Sequence, residues 1–235
     1  MLTLLVCLLR PRRGFALHTM AADPVRLRSP KDVLDFWFGD RSRLNDKEFL
    51  LSRMKSWYGG PPEFEHAQRE NTELMDAALR GELVDDSWRT PAGLLAQIIL
   101  ADQFPRMVYK ASAQAFSGGA VALSAAHKII ENNWFVSELL PAERLFVTMP
   151  LLHSEDLADH ELLASLFDVM SSNCPEDLIS YLCSRKYATD HIEVIRRFGR
   201  FPSRNAALGR VNTPEEEEYL SSPDLPGWAK SQIKK

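Results

Sequence analysis

The chain has 235 residues, of which 45% are hydrophobic and 26% charged, and 28 Lys and Arg against 32 Asp and Glu give a net charge of -4. These proportions exclude a collagen-like, disulfide-stapled or fully disordered chain and permit one sizeable core. The mild acidity speaks against a surface given over to nucleic acid, and the three cysteines, Cys7, Cys174 and Cys183, have neither CxxC nor zinc spacing.

Residues 2–9 (LTLLVCLL) are apolar but far short of the ~20 residues that span a bilayer. Arg10, Arg12 and Arg13 follow, and the first acid is Asp23, a pattern shared by a mitochondrial transit peptide and a simple upstream extension with Met20 as an alternative start. Residues 1–28 are therefore set apart as a leader or extension, 29–222 as a single helical domain and 223–235 as a Pro-containing tail. The expected location is cytoplasmic, or mitochondrial if the leader acts as a transit peptide.

The remainder reads as successive helices. Ser29 caps a helix with Pro30 at its first position, ending at Gly39; Asn45 and Glu48 form a capping-box signature for a second through Trp57. A third runs from about Pro62 to Arg80, a fourth starts at Thr90-Pro91, and Ser117 caps a fifth reaching Ile130. Pro141 opens a sixth, Ser154 caps a seventh through Phe167, Pro175 opens a long eighth ending at Phe198-Gly199, and Thr213 caps a last short one. No segment alternates with a period of two, so the expected fold is all-α, built of stacked helical hairpins.

Polar residues on apolar faces supply the functional clues. At about 100° per residue, Asp102 falls in the middle of the arc formed by Leu94, Leu95, Ile98 and Ile99, where a carboxylate needs a partner. His191 lies in the stripe of Val194, Ile195 and Phe198, a position that a satisfied core histidine also occupies. His153-Ser154-Glu155-Asp156 combines a base, a hydroxyl and two acids, and is more simply read as a helix cap with acids on its dipole. Five arginines, Arg196, Arg197, Arg200, Arg204 and Arg210, fall between Val194 and Pro214 with no acid among them. Guanidinium groups on such a turn suit bidentate recognition of carboxylate or phosphate, or a solvated loop paired with Asp102, Glu155, Asp156 or Glu215–Glu218. Asp102-Gln-Phe-Pro-Arg106 and Arg200-Phe-Pro-Ser-Arg204 each put Phe-Pro and then Arg at an expected helix end.

The segments Val33–Phe38, Thr90–Leu95 with Asp102–Arg106, Pro150–Leu157, and His191 with Arg197–Asn205, Leu208–Arg210 and Thr213–Glu216 resemble the mostly bacterial family catalogued as domain of unknown function 924. The resemblance is collinear over about residues 31–220. It implies an all-helical fold like that of tetratricopeptide repeat proteins, and no established reaction. The family usually has His where this chain has Ser203 and Asn where it has Met107.

Asp102, His153 and Glu155 are thus candidate acid–base groups, and Gln103, Arg106, Asp156, His191, Arg197, Arg200, Arg204, Asn205 and Arg210 candidate ligand-binding groups. Three functions follow: a binding protein for a small anion or peptide, a hydrolase or transferase acting on a phosphorylated or carboxylated metabolite, or a purely structural polar network. No metal, cofactor, nucleic acid or membrane span is expected, since neither HExxH nor a Cys/His zinc pattern occurs.

Overall fold

The computed structural model describes residues 25–233. The apolar run, Arg10, Arg12, Arg13, Cys7 and Met20 lie outside them. All regular structure among the described residues is helical, with no strand.

Helix α1 (Pro30–Phe38) starts with the expected cap: Ser29 Oγ accepts from Asp32 N at 3.2 Å, Asp32 Oδ2 accepts from Ser29 N at 3.0 Å, and Gly39 ends it at φ +68°. α2 (Lys47–Gly59) is capped by Asp46, whose Oδ1 accepts from Phe49 N at 3.0 Å, one residue beyond the expected Asn45. The ionised side chain meets the helix dipole as well as the orphan N–H groups, which neutral Asn45 does less well.

The single helix expected over 62–80 is two, α3 (Pro62–Glu70) and α4 (Thr72–Leu79). Asn71 divides them because its side chain takes other backbone partners, donating to Ala67 O at 2.7 Å and accepting from Leu27 N at 2.8 Å.

α5 (Pro91–Ile98) passes through a π turn, Ile99–Gln103, into α6 (Phe104–Val108), so Phe104-Pro105 does not end the helix as expected. In a regular helix Pro105 would press on the Ala101 carbonyl; the wider turn, with Phe104 N donating to Ile99 O, makes room for it. α7 (Gly119–Glu131) lies against this turn, and its cap is Gly118 rather than Ser117, whose hydroxyl donates to Gln114 O at 2.9 Å. A Cβ at position 118 would stand 2.1 Å from Ala101 O, so only glycine permits the approach.

The short α8 (Trp134–Ser137) leads to α9 (Pro141–His153), buried from Pro141 through Leu152. α9 is the central post. Trp37, Trp57 and Phe146 pack edge-on and stacked around it, with Trp57 and Phe146 ring centres 4.8 Å apart. Buried Arg144 donates to the carbonyls of Phe135 and Leu139 at 3.0 and 3.1 Å, closing the end of α8.

α10 (Leu157–Met170) is capped by Asp156, which accepts from Ala158 N at 3.0 Å, rather than by Ser154. The long helix expected from Pro175 breaks at Cys183 into α11 (Glu176–Leu182) and α12 (Arg185–Phe198). Leu178 and Leu182 enter the main core, whereas Val194 and Ile195 join Phe201 in a second, smaller core, and one straight helix cannot face both. Gly199 ends α12 in the left-handed region at φ +66°. α13 (Pro214–Ser221) has the expected Thr213–Glu216 capping box, and α14 (Gly227–Lys230) brings Trp228 onto His191, rings 3.9 Å apart.

Candidate functional site

Asp102 leaves the π turn toward the end of α9. It is 1% exposed, and both its oxygens lie 2.9 Å from His153 Nδ1. Arg106 Nη2 is 3.1 Å from Oδ1, and Gln103 Nε2 donates to Oδ2. Burial alone would raise its pKa, but the charge of Arg106 and the hydrogen bond from His153 outweigh burial and hold the carboxyl well below its usual range. The carboxylate on Nδ1 fixes that nitrogen as the protonated one, so Nε2, without a hydrogen bond among the described residues, keeps its lone pair. Burial and the charge of Arg106 pull His153 down to about 4 against the pull of Asp102, so the ring is neutral at pH 7.

Glu155 does not lie on the α10 dipole. It takes Arg210 in a two-point pair, at 2.7 and 2.9 Å, and accepts from Phe201 N at 2.8 Å. These contacts lower its pKa even though burial opposes them.

Arg204, on the turn after α12, is only 6% exposed, and its Nε has no hydrogen-bond partner among the described residues. The nearest carboxylate oxygen, Glu155 Oε1, stands 4.0 Å from Nη1 and is already held by Arg210 and Phe201. Its guanidinium instead lies against two rings, 4.3 Å from the centre of Phe201 and 5.1 Å from that of Phe116. Arg106 shares the Phe116 ring at 5.4 Å. Burial first, and the neighbouring Arg106 second, push Arg204 down to about 9. Asp102 is engaged by Arg106 and His153, and Glu155 by Arg210, so three guanidiniums meet two carboxylates and one positive charge stays uncancelled.

Other candidates lie elsewhere. Arg197 pairs with Glu215 at the exposed surface at 2.7 Å. Arg200 and Asn205 bind Glu216, which also closes the Thr213 cap, at 2.6 and 3.3 Å, so these two are bonded into the end of α13. Asp156 is the exposed cap of α10. His191 is a bonded core histidine: Nδ1 donates to Tyr187 O at 2.8 Å, and burial lowers it to about 3.

The sequence reading missed two participants. His160, buried, bonds Ser154 O through Nε2 at 2.9 Å and leaves Nδ1 without a partner among the described residues. Its spacing to Leu163 and Phe167 on one face of α10 would have marked it. Phe116, the plate under both guanidiniums, sits in a single turn of 3-10 helix (Ala113–Phe116) with no periodic signal. Among the described residues, no three His, Cys, Asp or Glu side chains assemble as a metal-ligand set.

The family model described as a bacterial protein of unknown function, DUF924, matches residues 33–224. The chain belongs to the DUF924 family. This DUF924 protein is also similar to a solved structure of a protein of unknown function from Agrobacterium tumefaciens. The two share 27% identity and a TM-score of 0.60 over 82% of this chain and 96% of the other. No curated protein matches it. The two positions at which the resemblance leads one to expect Asn and His flank the site: Met107 follows Arg106 and accepts from Gln68 Nε2 at 3.3 Å, and Ser203 precedes Arg204 and donates to Gln232 Oε1 at 3.3 Å. Among the described residues no helix is long and apolar enough to cross a membrane.

Proposed function

We propose that this DUF924 protein binds a small oxyanion, a carboxylate or a phosphate, between the guanidiniums of Arg204 and Arg106. The observation that carries the reading is Arg204: a guanidinium this buried, with no carboxylate of its own, has its desolvation offset only in part by two aromatic faces. An oxyanion would supply the missing acceptors and cancel the surplus charge. A peptide would meet the same arginines through its terminal carboxylate, and a tetratricopeptide-like stacking of the hairpins belongs to the same proposal. Titration calorimetry with inorganic phosphate and with acetate tests it: Arg204→Met is expected to weaken binding at least about tenfold, the loss of one charged hydrogen bond. Unchanged binding by the variant, or no binding by the native protein, would overturn it.

The Asp102–His153 pair favours a second reading, in which His153 Nε2 acts as a general base on a ligand held by the arginines. A buried carboxylate behind a neutral imidazole is the arrangement that orients such bases. With p-nitrophenyl phosphate and p-nitrophenyl butyrate as probes, this reading expects a native rate of hydrolysis that His153→Ala lowers by about 10²-fold or more. Equal rates for native and variant protein would discard it.

A further inference from the structure

Next to the polar cluster lies a cavity of about 300 Å³, at the small end of the range for small-molecule sites. It opens between α2, α9, α10, α11 and α12, and its wall is mainly apolar, including Leu152, Leu163 and Phe167. Its lining also includes Tyr58, Tyr181 and Tyr187, large aromatics that are 59%, 38% and 41% exposed. Three exposed tyrosines gathered at one apolar opening are poorly placed for stability and well placed to receive a ligand.

The cavity and the anion site share structure. Leu152, in the cavity wall, is followed directly by His153. The Tyr187 ring lies 4.6 Å from that of His191, whose Nδ1 holds the Tyr187 carbonyl. Burial raises the Tyr187 phenol, and the positive charge of Arg106 draws it partly back.

We propose that the cavity takes the apolar part of the ligand whose anionic end meets Arg106 and Arg204, which makes the ligand an amphiphile: an alkyl or aryl group carrying one carboxylate or phosphate. This inference rests on the anion-site reading and adds the ligand's apolar half. It accounts for two neighbouring features with one molecule: surplus positive charge at one end and uncovered apolar wall at the other.

The test is titration calorimetry with inorganic phosphate and then ethyl, butyl, hexyl and octyl phosphate, with octanol as the uncharged control. Each added methylene is expected to tighten binding about fourfold until the cavity is full, after which affinity levels off. Ala188→Trp, which adds bulk on the cavity wall, is expected to abolish the chain-length gain while leaving inorganic phosphate binding unchanged. Ser184→Phe, at an exposed wall position, is a second variant with the same expected effect should the first fail to fold. Phosphate binding with no gain from the chain would overturn this inference and leave the anion site standing. No phosphate binding and no chain-length dependence would overturn both. Octanol binding as tightly as octyl phosphate would overturn the amphiphile, since the arginines would then contribute nothing.

Discussion

Replacing Arg204 by Met separates a functional arginine from a structural one, because the two roles predict opposite signs for stability. Burial and the nearby charge of Arg106 lower the Arg204 pKa from its usual value to about 9. At about 1.4 kcal/mol per pKa unit, the charged side chain is disfavoured in the fold by up to about 5 kcal/mol. The sign is set by the depressed value: below pH 9 the side chain is charged in both the folded and unfolded chains, so the penalty is present in full at pH 7. Stacking on Phe116 and Phe201 offsets about 1–2 kcal/mol per ring. Methionine has a similar length, fills irregular space and carries no charge. Arg204→Met is therefore expected to stabilise the protein by about 1–2 kcal/mol in urea unfolding at pH 7, with the m-value unchanged, while losing phosphate binding. A stabilising change at the cost of function is the mark of a site held in an unfavourable state. A loss of more than about 1 kcal/mol in the variant would refute the reasoning and make Arg204 a structural residue.

Asp102→Asn keeps the shape but leaves Arg106 without its buried anion and His153 without a fixed tautomer; the expected loss is about 3–5 kcal/mol in denaturant unfolding. His153 and His191, lowered to about 4 and 3, stay neutral in the fold while the unfolded chain protonates near 6.5. Stability is therefore expected to fall as pH drops from 6.5 toward 4, by about 1.4 kcal/mol per unit for each histidine, and His191→Phe should make thermal unfolding less pH-dependent. Gly118→Ala would force the Cβ against Ala101 O, 2.1 Å away, and is expected to cost about 1–3 kcal/mol through displacement of α7 from the π turn, read by thermal unfolding.

Most helix starts were legible because they are written locally: Ser29, Thr90 and Thr213 all accept the expected backbone N–H. Breaks within helices were not, because each depends on a distant partner or on a second core, as at Asn71 with Leu27 and at Cys183 between two clusters. The burial of Asp102 followed from its apolar neighbours, although the regular 100° spacing does not hold through a π turn. Its partner His153 lies 51 residues away and only tertiary packing could join them. In sequence the five arginines after Val194 look alike. Their roles diverge because Glu215, Glu216 and Glu155 engage Arg197, Arg200 and Arg210, whereas Arg204 is buried against two rings.

The central claim is that an oxyanion sits between Arg204 and Arg106. A crystal structure of the full chain grown with phosphate tests it most directly. The expected result is an anion within hydrogen-bond distance, about 2.7–3.2 Å, of both guanidiniums. Phosphate bound only at surface arginines such as Arg197, with Arg204 still unpartnered, would contradict it.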